Sequence, residues 1–306
     1  MKSKNNRIRN RRSASDILIS ILTYVFFAAF AFICIYPFYY IFINTISSND
    51  LSQRGLIIFL PKQLHIQNYI KAVKIPGLLN AATISVGRTV IGTFLTVIAT
   101  AFMGYMFTRE SLWGRKFWYR FVLITMYFNA GIIPWYITMR NLHLTNNFLG
   151  YVLPTIVSPF FIILAKTFVE SIPKELEQAA EIDGAGTMKV FFKVIIPVIK
   201  PIMATVAIFA AVNQWNAFQD TLLLMTDTKL YSLQFILYQY INQASSLKQL
   251  VNSSSSSMVA QTVATVQTAT SIRMTVTIIV VAPILLIYPV FQRYFVKGIM
   301  IGAVKG

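Results

Sequence analysis

The sequence predicts an all-α integral membrane protein with six transmembrane helices and both termini on the cytoplasmic side. Of its 306 residues, 56% are hydrophobic and 12% are charged, and the mean hydropathy is +0.62. A soluble protein carries about 25% charged residues, so the composition favours a membrane protein. Six long apolar segments alternate with polar segments, and the positive charge collects in every second polar segment.

The positive charge follows the positive-inside rule. Of the 27 Lys and Arg residues, six precede residue 13, four lie in 109–120, five lie in 166–200 and three follow residue 292. One topology places these eighteen on the cytoplasmic side, as the rule requires, and seven on the opposite side. Arg88 and Arg273 are expected at helix ends. Nucleic acid is not an expected partner, because the basic N-terminus has no interleaved aromatic residues.

The N-terminal region is predicted to be a cytoplasmic tail followed by a membrane helix. Residues 1–15 are basic and polar, and residues 17–43 form a nearly uninterrupted apolar run. That run is longer than the 7–15-residue core of a signal peptide and long enough to span a bilayer. The single cysteine, Cys34, lies within it, so no disulfide within the chain is possible.

Residues 16–306 are predicted to form one transmembrane domain. Its other five spans are expected at residues 81–107, 121–139, 148–168, 202–224 and 274–295. Pro154 and Pro159 are expected to kink the fourth span. Residues 44–80 and 227–272 should lie outside the membrane on the outer side, and the loop 108–120 on the cytoplasmic side.

A charged loop, residues 170–201, separates the fourth and fifth spans. It holds five of the ten acidic residues of the chain. Pro173 suits the first turn of a helix, and the acidic residues behind it complement the helix N-terminus. Gly184 should end this helix, because glycine accepts the left-handed backbone of a C-cap. A second short helix should pass Phe191 and Phe192 and stop before Pro197.

This loop resembles the cytoplasmic "EAA" loop of binding-protein-dependent ABC importer permeases. The matching residues are Gln178-Ala179-Ala180, Asp183-Gly184-Ala185 and Ile195-Ile196-Pro197. Gln178 stands where the family has a glutamate, which removes a charge but keeps a polar side chain of similar length. In the family this unit is the coupling helix, which docks in a cleft of the ATP-binding subunit; an ordinary solvated linker is the alternative. The resemblance implies docking by Glu175, Glu177, Gln178, Ala179, Ala180, Asp183, Gly184, Ala185 and Pro197.

Two further stretches resemble permeases of the maltose-transporter type that carry complex or polymeric sugars. They are residues 129–154 and the C-terminal residues 287–306, which end in Gly302-Ala303-Val304-Lys305-Gly306. The resemblance implies a permease for oligosaccharides in the bacterial cytoplasmic membrane. The implied partners are a homologous second permease, two ATP-binding subunits and an extracellular solute-binding protein, besides the sugar and membrane lipid. Alternatives are a permease for a non-sugar solute, a channel or secondary transporter without ATPase partners, and a structural subunit.

Nothing in the sequence predicts catalysis, a cofactor site or a metal site. There is no Gly-x-x-x-x-Gly-Lys-Ser/Thr phosphate loop, and the two histidines, His65 and His143, are far apart in the chain. ATP and Mg²⁺ are therefore expected in the partner ATPase subunits.

Polar side chains within the predicted spans are the candidates for a sugar pathway. Such groups are costly at membrane depth unless they face protein or a water-filled cavity. Hydrogen bonding between helices, or an indole in the interface belt, is the alternative role for each of them. The candidates are Asn129, Trp135, Asn213, Gln214, Trp215, Asn216, Gln219 and Asp220.

Overall fold

The computed structural model describes residues 14–253, 270–287 and 289, and within these residues the chain is helical, without strands. The N-terminal half contains α1 (Ala14–Thr45), α2 (Asn49–Gln53), α3 (Gln67–Val73), α4 (Leu78–Met106), α5 (Arg115–Tyr127), α6 (Ile132–Asn141) and α7 (Leu149–Val152). The rest contains α8 (Pro159–Glu170), α9 (Glu175–Ile182), α10 (Thr187–Val190), α11 (Ile196–Val198), α12 (Lys200–Asn216), α13 (Gln219–Leu224), α14 (Leu233–Ser253) and α15 (Thr270–Ile287).

Three of the described helices, α1, α4 and α15, are long and apolar enough to cross a membrane. The number rises to five if two bent pairs each count as one span. One pair joins residues 149–155 to α8 at an angle of 47°, and the other joins residues 187–198 to α12 at 80°. The all-helical membrane class is confirmed, whereas six spans and the orientation of the termini stay predictions. The predicted basic tail lies largely outside the described residues, as does the end of the sixth span.

The helix α4 lies at the centre of the fold and packs most extensively against α12 and α8. Small residues let these helices approach closely, as is common between membrane helices. A Cβ added to Gly104 would lie 2.7 Å from the Cβ of Ala165 on α8, and a Cβ on Gly92 would overlap the Gln214 side chain on α12. The main hydrophobic core lies around Tyr105, Phe191 and Ile199, at the end of α4 that leads into residue 107.

The first span, in contrast, packs on little of the protein. Side chains such as Phe26, Phe30 and Ile33 are about 60% exposed, as suits a helix that faces lipid. The C-terminal part of α1 is held by the segment that follows it, because Tyr36 and Tyr39 donate hydrogen bonds to the carbonyls of residues 58 and 59.

The segment of the third predicted span, 121–139, is not one continuous helix. The structure has two helices, α5 and α6, separated by residues 128–131. Asn129 Oδ1 accepts a hydrogen bond of 2.9 Å from the backbone N–H of Gly131, whose φ is +87°. An Asx turn followed by a left-handed glycine ends helical geometry, and Pro134 then falls in the first turn of α6. The Asn-Ala-Gly sequence therefore breaks the span.

The fourth and fifth predicted spans are also interrupted. The kink expected at Pro154 and Pro159 is confirmed, since Pro159 begins α8 after the 47° bend. The fifth span, expected at 202–224, is divided into α12 and α13 because Ala217 is extended, with ψ at 127°. The long segment expected on the outer side at 227–272 contains α14, whose first turns pack in a second core with Leu78 and Val276.

The second helix of the 170–201 loop differs from its prediction. It was expected to stop before Pro197, but the helical path continues through a π-helical turn, Phe191–Ile195, and on to Val198. Pro197 is tolerated because it lies at the beginning of the segment that follows the π turn, where a missing N–H costs least. The 80° bend into α12 comes immediately afterwards.

Candidate functional site

The predicted turn at Asp183-Gly184 has the geometry of a helix C-cap. Gly184 adopts a φ of +75° directly after α9, as expected from the sequence. Its N–H donates to the carbonyl of Glu181 at 3.0 Å, and the N–H of Ala185 donates to the carbonyl of Ala180 at 2.9 Å. This hydrogen-bond pair defines a Schellman motif, which fixes the direction in which the chain leaves α9.

Substitution of Gly184 by valine is expected to strain this motif by about 1–2 kcal/mol, because β-branched residues rarely adopt a left-handed backbone. The strain is confined to the backbone, since a Cβ at Gly184 meets nothing within 4 Å. Gly184→Asn is the matched control, because asparagine tolerates this conformation. We expect solute uptake by cells to fall several-fold with Gly184→Val and to stay near the wild-type rate with Gly184→Asn. Equal loss in both variants would contradict a backbone cause.

The two sides of α9 differ in character. Leu176 and Ile182 are 47% and 86% exposed, and Ala179 lies between them at helical spacing and is also exposed. These three residues form an exposed apolar stripe, which we call the α9 stripe. Ala180, which borders the stripe on the side of Glu177, packs against the main core. An exposed apolar stripe on a short helix of this kind is a typical contact surface for another protein.

Two glutamates of α9 bind an arginine that follows α4. Arg109 forms an ion pair with Glu177 and a second with Glu181, the latter at 2.7 Å. The Tyr105 hydroxyl, in the last turn of α4, donates to Glu177 Oε1 at 2.8 Å. Burial alone would lower the pKa of the Arg109 guanidinium, but hydrogen bonds to Glu181 and Glu177 outweigh it and raise the pKa. Arg109 therefore stays charged, and we call this set of four residues the Arg109 clamp.

A second polar cluster lies within the membrane-spanning part of the fold. Arg88 on α4 is 1% exposed, although the sequence placed it at a helix end, and that expectation was wrong. At a rise of 1.5 Å per residue it lies about 15 Å along α4 from Leu78. The guanidinium of Arg88 pairs with Asp220 at the beginning of α13 and stacks on the Tyr151 ring at 4.3 Å from its centroid.

Gln214 completes this cluster. Its Oε1 accepts from Nε and Nη2 of Arg88, at 3.1 Å each, and its Nε2 donates to Thr155 Oγ1 at 2.6 Å. The cluster thus joins α4 to α12, to α13 and to the 3₁₀ turn Leu153–Thr155. Polar groups in a membrane interior are retained when they are paired in this way.

Two open cavities border this cluster, and Ala217 lines both of them. One, of about 400 Å³, lies over Arg88 and is lined by residues that include Ser158, Asn213 and Gln214. The other, of about 430 Å³, is lined by residues that include Asn129, Trp135, Gln219 and Asp220. Six of the eight predicted pathway residues thus line one of two adjoining cavities.

The other two predicted pathway residues lie elsewhere. Trp215 faces away from these cavities, because its indole N–H donates to the Val280 carbonyl of α15 at 3.0 Å. Asn216 is exposed at the end of α12 but is not among the cavity-lining residues. The pathway role of all eight residues stays a prediction.

Arg88, Arg109, Tyr105 and Tyr151 were not among the sequence candidates. One signal could have identified Arg88, because it is the only charged residue in the segment 81–107, and Asp220 is the only one in 202–224. Lone opposite charges in two apolar segments suggest that they pair. No comparable signal exists for Arg109, which is one of four basic residues in a charged loop.

Comparison with known proteins gives one consistent result. The family model described as "Binding-protein-dependent transport system inner membrane component" matches residues 6–301. The chain is 30% identical to the polygalacturonan/rhamnogalacturonan transport system permease protein of Bacillus subtilis strain 168, covering 94% of this chain and 99% of that relative. It is 28% identical to the arabinooligosaccharides transport system permease protein of Halalkalibacterium halodurans, covering 97% of this chain and 100% of that relative.

One solved structure also resembles the chain closely. It is a chain in the crystal structure of a bacterial ABC transporter involved in the import of the acidic polysaccharide alginate. The TM-score is 0.81 at 28% identity, and the match covers 92% of this chain and 98% of that chain.

Proposed function

Because this chain belongs to the family of binding-protein-dependent transport system inner membrane components, we propose that it lines the path by which an ATP-driven importer moves oligosaccharides. The chain is a permease component of an ABC transporter and an integral membrane protein. It is not an enzyme, and ATP hydrolysis belongs to a separate subunit. The oligosaccharide cargo is proposed from the relatives, whose names specify sugar polymers or oligomers.

The full assembly in this proposal contains a homologous second permease, two ATPase subunits that bind ATP and Mg²⁺, and an extracellular solute-binding protein. Its setting is the bacterial plasma membrane, with six spans and both termini in the cytoplasm. The distribution of basic residues supports that orientation, because eighteen of the 27 fall in the segments it places inside.

The single observation that carries the proposal is the arrangement of α9. It is short, it ends in a fixed turn, and it exposes the α9 stripe to the surroundings. We propose that the stripe, together with Glu175, Gln178 and Asp183, docks in the cleft of the ATPase subunit. Glu177 has a different proposed part, because its carboxylate binds Arg109 and Tyr105 within the chain.

The Arg109 clamp offers a route by which movement of α9 can reach the membrane. Arg109 follows the end of α4, so a force on α9 acts on α4 through two ion pairs. Further along the same helix, Arg88 is bound to α12 and α13. Closure of the ATPase dimer on ATP would then shift α4 with α9 and turn the cavity outward, and hydrolysis would reset it. ATP in this scheme biases a two-state element at a distance.

The proposed sugar path uses the two cavities that Ala217 lines. Asn129, Asn213 and Gln219 are exposed in them, and the Trp135 indole is half-buried at their edge. Amide groups can hydrogen-bond sugar hydroxyls, and an aromatic face can pack on a sugar ring. Gln214 and Asp220 line the same cavities, and Arg88 holds both side chains in place.

The test is sugar-stimulated ATPase activity of the reconstituted complex, with and without its solute-binding protein, across a panel of oligosaccharides. We expect stimulation that requires the binding protein. Ile182→Asp should reduce co-purification of the ATPase subunit at least about tenfold, because it puts a charge into an apolar contact. The matched control is Leu142→Asp, which changes a leucine that is 61% exposed at the end of α6. Full co-purification with Ile182→Asp would refute docking through the stripe, and an ATPase that ignores every sugar would refute the cargo.

A further inference from the structure

We infer that the pathway wall of this chain recognises uncharged sugar units and offers no cation to the carboxylate of a uronic acid. This inference rests on the proposed import of oligosaccharides and narrows the class of substrate. The relatives do not settle whether the sugar is acidic or neutral. Two are named for acidic glycans, polygalacturonan/rhamnogalacturonan and alginate, and the third is named for neutral arabinooligosaccharides.

The charges at the two cavities cancel each other. Of the described residues that line them, Arg88 and Asp220 are the only charged ones, and they form an ion pair. The guanidinium is therefore the one cation in this wall that a substrate carboxylate could approach.

Arg88 has no donor left to offer. A guanidinium carries five N–H groups. Nε donates to Gln214 Oε1, Nη1 donates to Asp220 Oδ1 at 3.1 Å and to the Ala217 carbonyl at 3.3 Å, and Nη2 donates to Gln214 Oε1 and Asp220 Oδ2. These five hydrogen bonds match the five N–H groups, so a carboxylate could bind Arg88 only by displacing groups of the protein.

Displacement is unfavourable because the partners of Arg88 are themselves fixed. Asp220 Oδ1 also accepts from the backbone N–H of Thr221 at 2.8 Å, and Gln214 is held by Thr155. Releasing Asp220 would leave its carboxylate partly buried without its cation, which is costly in a membrane interior. A substrate would have to supply that free energy from its own binding.

The remaining polar groups of the wall are neutral. Among them are the exposed amides of Asn129, Asn213 and Gln219, the hydroxyls of Ser158, Thr96 and Thr155, and the indole N–H of Trp135. Amides and hydroxyls both donate and accept hydrogen bonds, which suits the hydroxyl groups of a neutral sugar. A carboxylate is an acceptor only, and it binds best to a charged donor. The chemistry of this wall therefore favours neutral units.

The experiment compares two oligosaccharide series that differ in charge alone. Oligomers of galactose and oligomers of galacturonic acid, of equal length and linkage, are added to the reconstituted complex with its binding protein, and ATPase stimulation is measured. We expect the neutral series to stimulate about tenfold more strongly at equal concentration. Asn213→Lys should raise the response to the acidic series about tenfold relative to the neutral one, because it adds a free cation to the wall. Asn141→Lys, the same change at an exposed position at the end of α6, should leave the ratio unchanged.

The possible outcomes distinguish the preference for neutral sugars from the import of oligosaccharides as such. Equal or stronger stimulation of the wild-type complex by the acidic series would overturn the inference and leave oligosaccharide import intact. An unchanged ratio of acidic to neutral stimulation in Asn213→Lys would also overturn it. The residues that line the cavities would then not discriminate between substrates by their charge. Stimulation by neither series would overturn the import proposal, and this inference with it.

Discussion

Replacement of Asp220 by alanine is expected to destabilise the folded chain by about 3–5 kcal/mol, because it leaves the buried charge of Arg88 without its counter-ion. The Arg88 side chain is 1% exposed, so its charge has little solvent to replace the lost carboxylate. A loss of this size should lower the midpoint of thermal unfolding by roughly 6–20 °C. The measurement is thermal unfolding of the purified complex in detergent.

The double variant Arg88→Met with Asp220→Leu is the control for this prediction. It removes both charges and fills the space with apolar side chains, a change that is often neutral in buried ion pairs. We expect it to recover most of the unfolding temperature that Asp220→Ala loses, although Gln214 loses its Arg88 donors. If Asp220→Ala unfolded at the wild-type temperature, the pair would not hold α4 to α13 as proposed.

Reversal of the charge at Arg109 is expected to uncouple ATP hydrolysis from sugar transport. Arg109→Glu removes two ion pairs and puts three carboxylates next to one another, so α9 should detach from the end of α4. The α9 stripe is untouched, so the ATPase subunit should still bind and hydrolyse ATP. We expect the ratio of sugar transported to ATP hydrolysed, measured in proteoliposomes, to fall at least about tenfold.

Two further variants test the cause of that effect. Arg109→Glu combined with Glu177→Arg restores one ion pair across the same contact and should recover much of the ratio. Lys174→Glu breaks the ion pair between Lys174 and Glu110 nearby, where both side chains are 76% exposed. Surface pairs of this kind contribute little, so Lys174→Glu should behave as wild type. A wild-type ratio in Arg109→Glu would show that α9 acts on the membrane by another route.

The features determined by the sequence are those that depend on local pattern. Apolar segments of sufficient length require helices in a membrane, because every backbone polar group must be satisfied without water. The left-handed turn at Gly184 and the kink at Pro159 also follow from the residues themselves, since their backbone preferences are intrinsic. The family resemblance was readable from the 170–201 loop for the same reason, because its motif is contiguous in the chain.

The pairings were decided by the tertiary structure, since they join residues far apart in the chain. Arg88 pairs with Asp220, which lies 132 positions away in the chain, and Arg109 pairs with Glu177, which lies 68 positions away. No local sequence pattern specifies either contact. The same holds for Gln214 and Trp215, adjacent in sequence, of which one faces Arg88 and the other Val280. Helix geometry already points these neighbours in directions about 100° apart on α12, and the packing of other helices decided which group each side chain meets. Packing also placed Arg88, which was expected at a helix end, in the buried centre of the fold.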